Sequence, residues 1–248
     1  MNLLQRLFSR DKRIEKKMRA YQPLVPPFDK PPIMFSAAEA KQYFDWYMEH
    51  LDERCEYLIE KAANGLGCSK SVFDYSFDSL IPLWRWFLGD VETEVRSRER
   101  AALIRSCYAQ SAPRMDFFAD MMNDHRDEPL LSVYSEMVLR DVGMYWGQTF
   151  YKNCSDVLRW GYKRTPKNYI HVNEPLLMGF VNIYDRNGQR LAKPYKLDFE
   201  PIHYARVQAM NVLDKTATER DLYKIAMIHM PRVEMARILL KEQQEMNG

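Results

Sequence analysis

The stretch Leu130 to Tyr162, LLSVYSEMVLRDVGMYWGQTFYKNCSDVLRWGY, constrains the fold most, because it joins a buried helix to the first strand of a sheet. On a helical wheel Leu131, Tyr134, Met137, Val138, Val142, Tyr145 and Thr149 share one side, with Glu136 and Arg140 opposite as an expected i,i+4 ion pair. Asp141 falls within the apolar side, where a carboxylate must find hydrogen bonds or a cation, or lose its charge. Tyr134, Tyr145, Arg159 and Lys163 are its expected neighbours across the helix-to-strand junction. Gly143 and Gly147 share a further face. Each costs about 1 kcal/mol relative to Ala in a helix interior, so close backbone approach is the expected reason for both.

Ahead of this helix, Ser36 and Glu39 form a capping box that opens a helix running to about Ala63 and stopping at Asn64, Gly65 and Gly67. Ala40, Phe44, Tyr47, Leu51, Cys55, Leu58 and Ala62 are its expected buried stripe. Asp45, Glu49, Asp52, Glu53, Glu56 and Glu60 make an acidic stripe on the far side, with four like-charge i,i+4 pairs. That repulsion costs on the order of 1 to 2 kcal/mol, and a basic neighbour would offset it. The internal candidate is a helix expected from about Glu92 to Ala109, which carries Arg96, Arg98, Arg100 and Arg105; the external one is a basic partner protein.

Asp74 to Leu88 reads as an apolar helix with Pro82 in its first turn, ending before Gly89. Past the central helix the period changes to two: Leu158, Trp160 and Tyr162 alternate with polar or small residues, and Leu176 to Tyr184 is a continuous apolar run. Asn187-Gly188 marks a tight hairpin into Gln189 to Phe199, where Pro194 indicates an edge strand or a bulge. A short helix is expected after Pro201. Thr216 and Glu219 box the start of another that runs to about His229, and Pro231 opens a last one. The fold class is α+β: a mainly helical body with a small antiparallel sheet in the C-terminal half. Residues 33–248 form its single domain, preceded over 1–32 by a basic amphipathic arm and a proline-rich strap.

That arm carries seven Lys or Arg against Asp11 and Glu15 in residues 1–19, a local excess of +5, which leaves the body at 2 − 5 = −3. Docking on its own domain or a sister chain, on an anionic membrane surface or on nucleic acid are its three possible uses. The acidic balance of the body speaks against a broad nucleic-acid-binding surface. Cys55, Cys68, Cys107 and Cys154 are scattered without a CxxC, which fits free thiols in a reducing cytosol. No apolar run approaches the roughly 20 residues of a spanning helix, and MNLLQRLFSR lacks the continuous core of an export signal. A cytoplasmic protein is expected.

No motif assigns an activity. Gly65 to Ser71, GLGCSKS, lacks the second glycine of a phosphate loop, and His125-Arg126-Asp127 has Ser132 where the kinase loop needs Asn. His50, His125, His171, His203 and His229 include no i,i+4 pair, and no cofactor or metal spacing stands out. Asp141 is the one candidate acid or base. Asp74-x-Ser76, the Trp84-to-Leu88 helix, the Trp160-Gly161-Tyr162 strand and Asn173-x-Pro175 with Gly179-Phe180 resemble a set of bacterial proteins, mostly from Gram-positive genomes, over about residues 33–184. The resemblance implies no activity and no functional residue. The leading expectation is a non-enzymatic protein-binding protein, such as an immunity-type inhibitor of a toxin, acting through the acidic stripe. The alternatives are an enzyme with its site around Asp141, and anionic-surface binding through residues 1–20.

Overall fold

A computed structural model describes residues 16–17, 20–22, 24–28, 30, 32–95, 129–166, 169, 171–185 and 187–247. Helix α1 spans Ala37–Leu66, α2 Leu80–Asp90 and α3 Val133–Cys154; α4 spans Pro201–Met210 and α5 Asp221–Asn247. Strands β1 (Thr93–Val95) and β2 (Pro129–Leu131) form one antiparallel pair, and β3 (Arg159–Tyr162), β4 (Pro175–Tyr184) and β5 (Arg190–Phe199) form an antiparallel sheet in the order β3-β4-β5. The α+β class follows, with the larger sheet in the C-terminal half.

Local chemistry explains most of the boundaries. The Ser36 side chain accepts the Glu39 N–H while the Glu39 carboxylate accepts the Ser36 N–H, closing the capping box of α1. Gly67 ends that helix in the left-handed conformation, as a C-terminal glycine should. Tyr43 occupies the buried position expected for Phe44, which instead lies half-exposed against the Tyr162 ring. β5 is an edge strand, so Pro194 needs no ladder partner on its open side.

Helix α3 is the axis of the core. Trp146 and Phe150 are fully buried and meet Phe199 of β5 at ring distances of 5.0 and 5.1 Å. A Cβ on Gly143 would lie 2.7 Å from the Cα of Ile202, and one on Gly147 would collide with the Trp160 ring, so both glycines let α4 and the sheet approach the helix. One connected set of buried side chains runs from Tyr21 to Val233. Tyr21 and Leu24, ahead of residue 33, therefore pack with the body.

Several local expectations are corrected. Residues 93–95 are a strand paired with Pro129–Leu131, not the opening of a helix, and the Ser135 side chain holds Glu92 by accepting its N–H and donating to its carbonyl. The rest of that expected helix, including Arg96 to Arg105, lies outside the described residues. Helix α2 continues through Gly89 to Asp90, and a single-turn 3-10 helix over Phe77–Ser79, capped by Ser76, precedes it. Glu136 pairs with Arg206 of α4 at 2.5 Å, while Arg140 donates to the Leu24 carbonyl. The expected i,i+4 pair is replaced because two other elements cover that face. Pro231 lies inside α5 instead of opening a new helix. Leu222, Ala226, His229, Val233 and Ala236 form one continuous buried face through it, so tertiary packing carries the helix past the missing N–H. Its start is fixed one turn beyond the expected box, by Thr218 N–H and hydroxyl donating to Asp221.

Candidate functional site

Asp141 is 1% exposed and lies in α3 facing α1. Arg54 donates to it from Nη2 at 2.5 Å and from Nε at 3.2 Å, and Tyr21 donates its hydroxyl at 2.8 Å. Burial raises the carboxyl above its ordinary value, and the hydrogen bonds from Arg54 and Tyr21 pull it back. Arg54 is satisfied further by the Gln22 carbonyl at 3.2 Å and by stacking over Tyr57 at 4.3 Å.

None of the four neighbours expected from the sequence reaches Asp141 by a hydrogen bond or ion pair. Tyr134 donates to Asp90, Tyr145 exchanges a bond with Ser79, Lys163 pairs with Asp198, and Arg159 is exposed. The true partners come from one face of α1 and from a segment 120 residues away in sequence. This is a sealed, bidentate ion pair, the geometry of a structural group.

The six carboxylates of the acidic stripe all stand exposed on α1, on the side away from Arg54. Asp45 pairs with Lys41 of its own helix, Glu60 with Lys70, and Asp52 accepts from Gln148 of α3. Glu49, Glu53 and Glu56 make no ion pair among the described residues. The basic arm falls mostly outside those residues. Within them, Lys17 is turned onto the body, at 2.8 Å from Asp90 and 2.7 Å from Glu92.

A third group was not legible as a site in the sequence. The turn before β4 carries His171 and Glu174, and is held by the Asn173 N–H donating to the Lys163 carbonyl at 2.7 Å and by the Asn173 side chain donating to the Pro32 carbonyl at 2.8 Å. Where β5 returns beside the start of β4, Glu200 caps α4 by accepting the His203 N–H, with Pro201 in the first helical position. The seating of α4 on Gly143 and Gly147 buries Glu200 to 3% exposure. One ligand atom from each of His171, Glu200 and His203 lies within 4.8 Å of the others. Glu200 makes no ion pair among the described residues. Burial and the Glu174 carboxylate hold it well above the usual carboxylate range, and burial and His171 lower His203. The available signal was Glu200-x-x-His203 at the start of a helix, but its third member lies across a whole hairpin.

Comparison of the chain with protein-family models, with curated proteins and with solved structures gives no match. Among the described residues no helix is long and apolar enough to cross a membrane.

Proposed function

We propose that this chain is a cytoplasmic, non-enzymatic protein-binding protein that engages a partner with a basic surface through the acidic face of α1, in the manner of an immunity-type inhibitor of a toxin. The observation that carries this reading is the exposure of Glu49, Glu53 and Glu56 on one side of a helix whose other side is anchored in the core. Asp45 to Glu60 covers about 22 Å along the axis at the usual helical rise. Such a row of charge accelerates encounter with a cationic protein and suppresses acidic competitors. The sealing of Asp141 by Arg54 and Tyr21 supports the same choice over an enzyme built on that acid.

The test compares cross-linked capture of cellular proteins by the intact chain and by Glu49→Gln/Glu53→Gln/Glu56→Gln. The reading expects a basic protein captured by the first and lost by the second. The circular dichroism of the two should match, and capture should fade with added salt. Equal capture by both forms would sink it, as would a genomic neighbourhood with no toxin gene together with no basic partner.

A further inference from the structure

Two imidazoles and a buried carboxylate converge where the two ends of the β4-β5 hairpin meet, with a second carboxylate behind one imidazole. We propose that His171, Glu200 and His203 hold a zinc-class divalent cation that clips the base of this hairpin to the first turn of α4.

The donor set defines the class of ion. Two nitrogens and one oxygen suit zinc and its first-row neighbours; calcium and magnesium call for oxygen-rich cages, and softer ions for thiolates. The ligand atoms lie within 4.8 Å of one another, whereas a tetrahedral zinc with bonds near 2.1 Å places them roughly 3.4 Å apart. Closing that gap takes a movement on the order of 1 Å. His171 and His203 are both only partly buried, which leaves their side chains room for it.

The surroundings match a ligand shell. His171 Nδ1 is 3.0 Å from the Glu174 carboxylate. Its proton on that nitrogen leaves the Nε2 lone pair for the ion, which is the carboxylate-histidine arrangement that orients metal-binding imidazoles. Glu200 uses Oε2 to accept the His203 N–H, so Oε1 is the ligand oxygen. The N-terminus of α4 and Arg206 oppose a cation here; the Glu174 carboxylate favours it, and Glu200 gives up its proton to solvent as it takes the ion. Three protein ligands also leave a coordination position for water or another donor.

This inference is independent of the acidic face of α1, and a metal assay leaves that reading untouched. The experiment uses the full chain, stripped with a chelator and dialysed against zinc, with the two histidine variants as the control for uptake by thiols. One zinc per chain is expected, with a thermal midpoint raised by about 5 °C at zinc 100-fold above its Kd. Hydrogen exchange over residues 175–199 should slow on loading. His171→Gln and His203→Gln should each bring the stoichiometry towards zero, while Glu174→Gln keeps the site about 10- to 100-fold weaker. Should a ligand variant fail to fold, cobalt(II) added to the native chain still decides: visible ligand-field bands saturating at one equivalent support the site, and their absence overturns it. Zinc uptake that survives in both histidine variants, or an unmoved midpoint, also overturns the proposal, and a preference for iron(II) over zinc overturns the assignment of the ion.

Discussion

Asp141, in α3, and Glu200, where α4 packs onto α3, are both buried acids, yet their environments are opposites. Asp141 has a guanidinium meeting it twice and a tyrosine hydroxyl on the same carboxylate. Glu200 has a backbone N–H, two imidazoles nearby and a second carboxylate as neighbour. Burial alone therefore does not separate a structural acid from a functional candidate. The counter-charge does: the first site is complete as it stands, and the second has the donors for a cation without an ion pair among the described residues.

The sharpest way to break this comparison is to remove the guanidinium. Arg54→Met should cost about 3 to 5 kcal/mol in urea denaturation, because it leaves a buried carboxylate uncompensated. Arg54→Met/Asp141→Leu should recover most of that loss. If the single variant costs under about 1 kcal/mol, the Asp141 pair is not what holds α1 to α3.

His229 offers a third kind of buried ionisable group. It is 4% exposed, its ring lies 4.9 Å from that of Phe199, and its Nδ1 is 3.0 Å from Arg232 Nη1. An arginine donor there requires the imidazole to accept, so the ring is neutral. Burial and the Arg232 charge push its pKa down to about 4. The folded value lies below the unfolded one of about 6.5, so the unfolded chain takes up the proton first. Stability from this group is complete above about pH 6.5 and is lost as pH falls towards 4, by up to about 3 kcal/mol. His229→Leu should flatten that part of the stability profile in denaturation curves measured across pH.

The smallest effect belongs to Glu200. Glu200→Gln keeps an acceptor for the His203 N–H and gives up no ion pair among the described residues, so in the stripped chain it should cost less than about 1 kcal/mol. A loss comparable with that of Arg54→Met would show that Glu200 is compensated like Asp141, and the contrast between the two acids would disappear.

Signals confined to a few neighbouring residues were legible. Ser36 with Glu39 and the paired glycines of α3 each specify a backbone geometry by themselves, and each appears where the sequence places it; Asn187-Gly188 does fall between β4 and β5, but in a wider loop closed by the Asp185 N–H donating to the Gln189 carbonyl, with positive φ at Gly188 and not at Asn187. The odd position of Asp141 was also legible, but its partners were not. Arg54 sits in a helix whose charge pattern draws attention to the other face, and Tyr21 belongs to a segment that reads as a separate strap. The strand at Thr93–Val95 depends on a partner more than thirty residues away, which periodicity cannot supply. The His171, Glu200 and His203 cluster fails the same test: a hairpin separates its members, and no spacing rule spans it.

The Tyr21 to Asp141 hydrogen bond has a consequence for synthesis. The donor leaves the ribosome 120 residues before its acceptor. At about 5 to 20 residues per second, Tyr21 waits roughly 6 to 24 s for the carboxylate it will cover. Arg54, made 87 residues before Asp141, waits as well. During that interval a nascent chain holds a guanidinium and an aromatic strap with no acid to close on, and the strap remains accessible to chaperones and proteases until α3 emerges.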